Sequence, residues 1–220
     1  MNERSPAESF YDKLAARYDR ETFAPEAWTP PEHVAHATAK VANVDSVLII
    51  GVGTGQDIDA LGTHAPAHIE GIDVSGEMLA LCRAKHPRVL LHHADFMTFN
   101  GLLRQKYNLI VCSGTLEFIE DFEGFFVRCS QLLAPQGMMI ITYEPLIPDH
   151  ALQSKHESET VSERSSKFGI KDFKTYRRSF DQFSNAIARA TLQLHEHYDF
   201  VAYRKLETDI IYHFVVLKGV

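Results

Sequence analysis

A chain of 220 residues with 45% hydrophobic content has enough material for one α/β domain with a real core. No run approaches the roughly 18 consecutive apolar residues of a membrane span, and the polar opening MNERSPAESFYDKLAARYD lacks the apolar centre of a signal peptide. Twenty-two basic residues against 29 acidic ones leave a net charge of −7, which argues against a generic binder of nucleic acid or anionic membranes.

The elements follow in order. Residues 6–20 predict a helix, with Phe10, Leu14 and Tyr18 on one stripe. The proline-rich FAPEAWTPPEH reads as a turn into a second helix near 31–42. SVLII (46–50) is a continuous apolar run of strand length, as expected of a strand buried on both faces. A helix at about 55–63, a strand at 68–73, a helix at 75–86 capped by Ser75, and strands at 88–93 and 107–113 come next. A helix near 121–133 precedes a fifth strand at 136–144. Alternation of this kind predicts a parallel, doubly wound sheet. Residues 149–178 are polar, without sustained apolar periodicity, and carry more basic than acidic side chains. Helix returns at 179–190, and two β-rich runs, 195–206 and 209–219, joined by a short turn, predict an antiparallel hairpin at the sheet edge.

Chemistry-bearing residues gather at the carboxyl ends of successive strands, where ligands of such sheets bind. The first strand runs into Gly51-Val52-Gly53-Thr54-Gly55-Gln56-Asp57, whose glycines permit a sharp turn and close approach of a ligand. A dinucleotide loop, GxGxxG, would place glycine at 56; Gln56 stands there, and GxGxG suits a ligand without a pyrophosphate. Asp73 ends the second strand, placed to accept from both hydroxyls of a ribose. Asp95 and Phe96 follow the third, an acid beside an aromatic that suits an adenine. Read alone, each has an ordinary structural explanation; the three together point to one nucleoside.

At these residues the chain resembles the class I methyltransferases, and within them the small-molecule branch. VLIIGVGTGQD, GIDVSGEML and HHADF are similar to the first three motifs of that family, NLIVCSGTLEFIED to the fourth, LLAPQGMMIITYEP to the strand-five motif, and FYDKLAARYD to an N-terminal lid element. The resemblance covers about 5–145 well and the rest in outline. It implies a Rossmann-like seven-stranded sheet of order 3-2-1-4-5-7-6 with a C-terminal antiparallel hairpin, and S-adenosylmethionine as cofactor. Carried over by position, Gly51, Gly53 and Gly55 surround the methionine moiety, Asp73 takes the ribose, Val74 and Met78 flank the adenine, Asp95 and Phe96 read it, and Ser113 lines the sulfonium end. Two positions depart from the pattern: Ile49 stands where many members carry an acid two residues before the first glycine, and Asn108 where an acid often opens strand four. Asp57 is then the residue to supply part of the contact to the cofactor's amino group.

Methyl transfer from a sulfonium needs mainly positioning, so no catalytic signature is required. Glu117, Tyr143, Glu144 and His150 are the candidate bases near the strand ends. Tyr11, Tyr18, Phe23 and Trp28 are candidate lid aromatics over an acceptor, and 149–178 a candidate lid insertion bringing Tyr176, Arg177 or Arg178 to a polar or anionic group. SGTLEF in place of the Asn-Pro-Pro-aromatic turn of many amino-methylating nucleic-acid enzymes favours a small acceptor. The twelve histidines join no cysteine or carboxylate at a recognised metal spacing, so no metal is expected. Cys82, Cys112 and Cys129 form no CxxC pair and read as core residues in a reducing cytoplasm. The expectation is a cytoplasmic single domain over 1–220, with 1–42 as lid helices, working as monomer or homodimer. A cofactor-binding protein without methyl transfer, and a nicotinamide-dependent oxidoreductase, are the alternatives.

Overall fold

The computed structural model describes residues 4–23, 27–41, 44–62, 66, 68–104, 106–159, 168–171 and 173–219. In chain order these give α1 (Pro6–Thr22), α2 (Pro30–Thr38), β1 (Ser46–Ile50), α3 (Gln56–Ala60), β2 (His68–Asp73), α4 (Gly76–Lys85), β3 (Leu90–His93), β4 (Tyr107–Ser113), α5 (Phe122–Leu132), β5 (Leu133–Tyr143), β6 (Glu157–Glu159), β7 (Lys174–Tyr176), α6 (Phe180–Arg189), β8 (Leu192–Lys205) and β9 (Thr208–Gly219). Short 3₁₀ turns cover 101–104 and 116–118.

Seven strands form one sheet in the order β3-β2-β1-β4-β5-β9-β8. β1 to β5 run parallel, β9 is antiparallel to β5, and β8 is antiparallel to β9. Counting those seven alone, the order is the 3-2-1-4-5-7-6 expected from the sequence. β1 shows why the run after Ser46, Val47 to Ile50, is apolar throughout. Leu48 and Ile50 face the layer holding Phe125, Phe126 and Phe183, while Val47 and Ile49 face Val34, Ile58 and Leu79 on the other side. With side chains alternating between faces, a strand covered on both has no polar position to spare. Each such side chain contributes about 1.5–3 kcal/mol on burial.

Local signals set the helix starts. Ser75 accepts from the Met78 amide at the start of α4, Asp121 from Gly124 at α5, and Ser179 and Gln182 form a reciprocal capping box at α6. Several boundaries differ from the sequence expectation. β5 begins at Leu133, three residues early, because it carries a register shift between its pairings to Tyr107 and Leu109. β8 begins at Leu192. α2 and α3 stop at Thr38 and Ala60. Part of the proline-rich turn (24–26) and residue 42 lie outside the described residues.

The polar stretch 149–178 is not structureless where it is described. β6 and β7 pair antiparallel, Glu157 to Tyr176 and Glu159 to Lys174. Before them, buried Gln153 both donates to the Ile211 carbonyl (2.8 Å) and accepts from the Ile211 amide (2.9 Å), stitching the chain along β9. Residues 160–167 and 172 lie outside the described residues. A third apolar cluster joins α1 to this stretch: Phe10, Leu14 and Ala15 pack with Met78, Phe173, Phe168 and Ile170. No helix among the described residues is long and apolar enough to cross a membrane.

Candidate active site

The carboxyl ends of β1, β2 and β4 open into a cavity of about 310 Å³. Its inner wall holds Gly51, Gly53, Asp73, Val74, Met78, Asp95, Phe96 and Ser113, all expected from the sequence. Its outer wall is Tyr11 and Tyr18 of α1, Phe118 and Ile119 after β4, and Phe173, Lys174 and Tyr176 at β7. Phe118 stacks on Phe173, ring centroids 5.4 Å apart and planes 5° from parallel, which seats the outer stretch directly on the loop after β4. Phe118, Phe173 and Lys174 are wall residues that sequence reasoning missed. The signal available was thin: Phe168, Ile170 and Phe173 are the apolar points of an otherwise polar stretch.

The glycine loop is built for close approach. Gly51 has φ +73°, and a Cβ there would fall 2.0 Å from Thr115 Oγ1. Gly55 is different: at φ +93° its Cβ would strike the His86 ring at 2.6 Å, so it permits helix packing, and it is not on the cavity wall. Gly53 offers its amide to Asp73 Oδ2 (2.8 Å), and the Ser75 amide donates to Oδ1 (2.8 Å). Burial pushes the Asp73 pKa up, against the pull of those amides. A carboxylate has about four lone-pair sites, so these two bonds leave Asp73 able to accept from a diol as well. Asp95 Oδ1 accepts from the Met97 amide (2.8 Å), which fixes the turn after β3. Phe96 is clamped between the Phe125 ring at 5.6 Å and the Arg128 guanidinium at 5.1 Å.

Asp57, at the start of α3, is buried beside Tyr18, Gly51, Gly53 and Thr54. Its Oδ1 has no hydrogen-bond partner, and burial raises its pKa to about 7. Ile49 is core, and Asn108 pins the start of β1 by accepting from the Ser46 amide and hydroxyl. Neither departure from the family pattern is thus a hidden ligand, and the unsatisfied carboxyl in this region is Asp57.

Helix α1 is fastened along the site at two points. Asp12 accepts from the Ser75 hydroxyl (2.7 Å) and the Glu77 amide (3.2 Å). Asp19 accepts from Thr54 (2.5 Å) and Gln56 (3.2 Å) of the glycine loop, and pairs with Lys85 (3.1 Å).

Other candidates are not on the cavity wall. Tyr143 is core, stacked on Phe183 at 5.1 Å. His150 sits on the β9 side, 2.9 Å from the Asp209 carbonyl. Trp28 packs on Tyr203 and Tyr212 and stands beside the cavity, its ring against Gly114 and near Tyr18, Gly51 and Gly53. Phe23, at the end of α1, is exposed. Glu144 and Arg177, proposed from sequence for separate roles, are partners: Nε and Oε1 meet at 2.7 Å with both side chains buried. Arg178 donates to the Tyr176 and Glu120 carbonyls (2.8 Å each) and lies over the Phe122 ring. Both arginines therefore hold β7 in place and are not on the cavity wall. Glu117 accepts from Tyr212 at 2.6 Å, its Oε2 is unpartnered, and burial lifts its pKa to about 7. Burial thus brings its proton exchange toward neutral pH, although its side chain is not on the cavity wall.

A parallel sheet continued by an antiparallel hairpin in this strand order is the Rossmann-like methyltransferase fold. Residues 48–139 match the family model of the methyltransferase domain. A trans-aconitate 2-methyltransferase of Escherichia coli O157:H7 is 31% identical over 121 residues, covering 54% of this chain and 46% of that protein. A dTDP-3-amino-3,6-dideoxy-alpha-D-glucopyranose N,N-dimethyltransferase of Streptomyces fradiae is 27% identical over 104 residues, 44% of this chain and 38% of that one. The chain spans about half the length, or less, of these curated relatives. Among solved structures, the CcbJ methyltransferase of Streptomyces caelestis has the same fold, with a TM-score of 0.71 at 19% identity over 97% of this chain and 99% of that one.

The residues fit S-adenosylmethionine. The unsatisfied Asp57 carboxyl suits an amino group, Asp73 a ribose diol, Met78 and Phe96 the faces of an adenine, and the open space over Gly53 a ligand lying on the backbone.

Proposed function

We propose that this protein transfers the methyl group of S-adenosylmethionine to a small molecule held in the outer half of the cavity. The cofactor, when bound, supplies a methyl group already activated on sulfonium. The chain supplies position. The observation that carries the reading is that one continuous cavity has the nucleoside-binding set on one wall and Tyr11, Tyr18, Phe118, Phe173 and Tyr176 on the other. Holding two reactants in register is worth about 7–11 kcal/mol in a bimolecular displacement, and rigid aromatic walls do this with few rotamers to freeze. The aromatic lining favours an acceptor with a flat or apolar body. Lys174, ion-paired to Glu157 at 2.5 Å, brings a cation to the rim that can turn toward an anionic group. A net charge of −7 favours a free small molecule over nucleic acid. We read α1 and the β6–β7 stretch as the two covers of the site.

The test is ligand-dependent melting. S-adenosylmethionine and S-adenosylhomocysteine, each at 100 times its dissociation constant, stabilise by about 2.7 kcal/mol, and NAD does not. In calorimetry, Asp73→Ala, shown to be folded, binds cofactor more weakly by roughly 1–3 kcal/mol because a charged acceptor is lost. Stabilisation by NAD alone removes the reading. Labelled methyl transfer to any of a panel of small acids, phenols and amines completes it, while binding with no transfer across the panel leaves a cofactor-binding protein.

A further inference from the structure

We propose that His197, Asp199 and His213 form a binding site for one divalent cation, best matched by Zn²⁺, at the hairpin end of the sheet. His197 and Asp199 are two residues apart on β8 and so share a face, and β9 places His213 directly opposite Asp199. Their ligand atoms converge. His197 Nε2 lies 2.6 Å from His213 Nδ1, His213 Nδ1 lies 2.7 Å from Asp199 Oδ1, and His197 Nε2 lies 3.5 Å from Asp199 Oδ1. Among the described residues this is the group of three such side chains close enough to hold one ion.

Hydrogen bonds alone account poorly for this arrangement. A ring nitrogen has one in-plane site, filled by either a proton or a lone pair. His213 Nδ1 has two close neighbours for that one site. If it donates to Asp199, it cannot accept from His197; if it accepts from His197, it faces Asp199 lone pair to lone pair. A cation resolves the conflict by taking a lone pair from all three atoms at once. Zn²⁺ bonds of about 2.0–2.1 Å in tetrahedral geometry separate ligands by about 3.3 Å. Two of the three distances need to open by less than about 1 Å to reach that spacing. Asp199 is free to make the adjustment, its side chain being 60% exposed. The rings are not loose: Phe180 stacks on His197 at 4.2 Å, and Tyr143 packs on His213 at 5.3 Å. Two imidazoles and a carboxylate suit a borderline cation, and the exposed side leaves a fourth position for water. None of the three residues lines the cofactor cavity, so the proposed role is to fasten β8 to β9.

The experiment uses untagged full-length protein stripped with chelator and dialysed against Zn²⁺, with bound metal measured by mass spectrometry and melting followed in parallel. The expected result is one Zn²⁺ per chain and a higher Tm. Asp199→Asn and His197→Gln, both at partly exposed positions, weaken Zn²⁺ by about tenfold or more and lose the Tm increase. Both keep the stabilisation by S-adenosylhomocysteine, which separates this proposal from that of the cofactor site. His36→Gln, at an exposed histidine of α2, behaves as wild type. Failure of the stripped protein to take up Zn²⁺, or equal uptake by wild type and both ligand variants, overturns the proposal.

Discussion

Asp57 is a carboxyl group buried with one oxygen unpartnered, and its environment raises its pKa from 3.8 to about 7. The sign of the consequence follows from proton linkage. The folded chain holds the proton more tightly than the unfolded chain, so the stability from Asp57 is complete below about pH 4 and is lost as pH rises through about 7. Asp57→Asn removes that loss. Chemical denaturation of the ligand-free protein should show wild type falling relative to the variant by about 2–4 kcal/mol between pH 4 and pH 8. A cation brought to Asp57 reverses the shift, so cofactor binding near pH 6 should release a proton. The calorimetric heat then depends on the ionisation enthalpy of the buffer in wild type and does not in Asp57→Asn. A buffer-independent heat in wild type would show that Asp57 is not the partner of the amino group. The residue was legible in the sequence only as a substitute for the acid missing at Ile49. The orphaned oxygen that gives it a role depends on how tightly Tyr18 and Thr54 close over it, which spacing along a chain does not encode.

At the scale of elements, the seven sheet strands are legible because continuous or alternating apolar runs are what double or single coverage demands. The inner wall of the cavity is legible for a related reason: Gly51, Asp73 and Asp95 each stand at a strand end, and strand ends are where such sheets bind. β6 and β7 are not legible. Three residues each, Glu-Ser-Glu and Lys-Thr-Tyr, they have no apolar period, and they form because the stretch is pinned by Gln153 on one side and by the arginines on the other. Arg177 and Arg178 resemble a surface pair awaiting an anion, yet the partner of Arg177 is Glu144, 33 residues earlier and buried with it. Removing one side of a buried pair strands the other. Arg177→Ala should therefore cost about 3–5 kcal/mol in denaturation, and Arg177→Ala with Glu144→Ala distinctly less. If the single and double variants lose the same stability, the pair does not anchor β7.

Across the whole molecule, the topology divides the labour. The parallel strands deliver the cavity, while the antiparallel β9 and β8 lie beyond it and carry the histidine cluster. The cavity is also walled by α1, an element outside the sheet layers, and α1 is tied down through Asp12 and Asp19. Those ties have a kinetic meaning. A molecule lying between α1 and the glycine loop is covered by the helix, and lifting the helix breaks the Asp19 contacts to Thr54, Gln56 and Lys85 together. Hydrogen bonds to a charged group are worth about 1.5–3 kcal/mol each, and they stand as a barrier in both directions because they are present before entry and after it. Asp19→Ala should thus speed association and dissociation of S-adenosylhomocysteine alike, each by about tenfold or more in stopped-flow, with a far smaller change in Kd. A change in Kd carried by dissociation alone would show that Asp19 contributes to ligand affinity instead. Asp19 is in that sense a clock for the site: it sets how long a guest stays, and so, under the proposed function, whether a demethylated cofactor departs before the next turnover can begin.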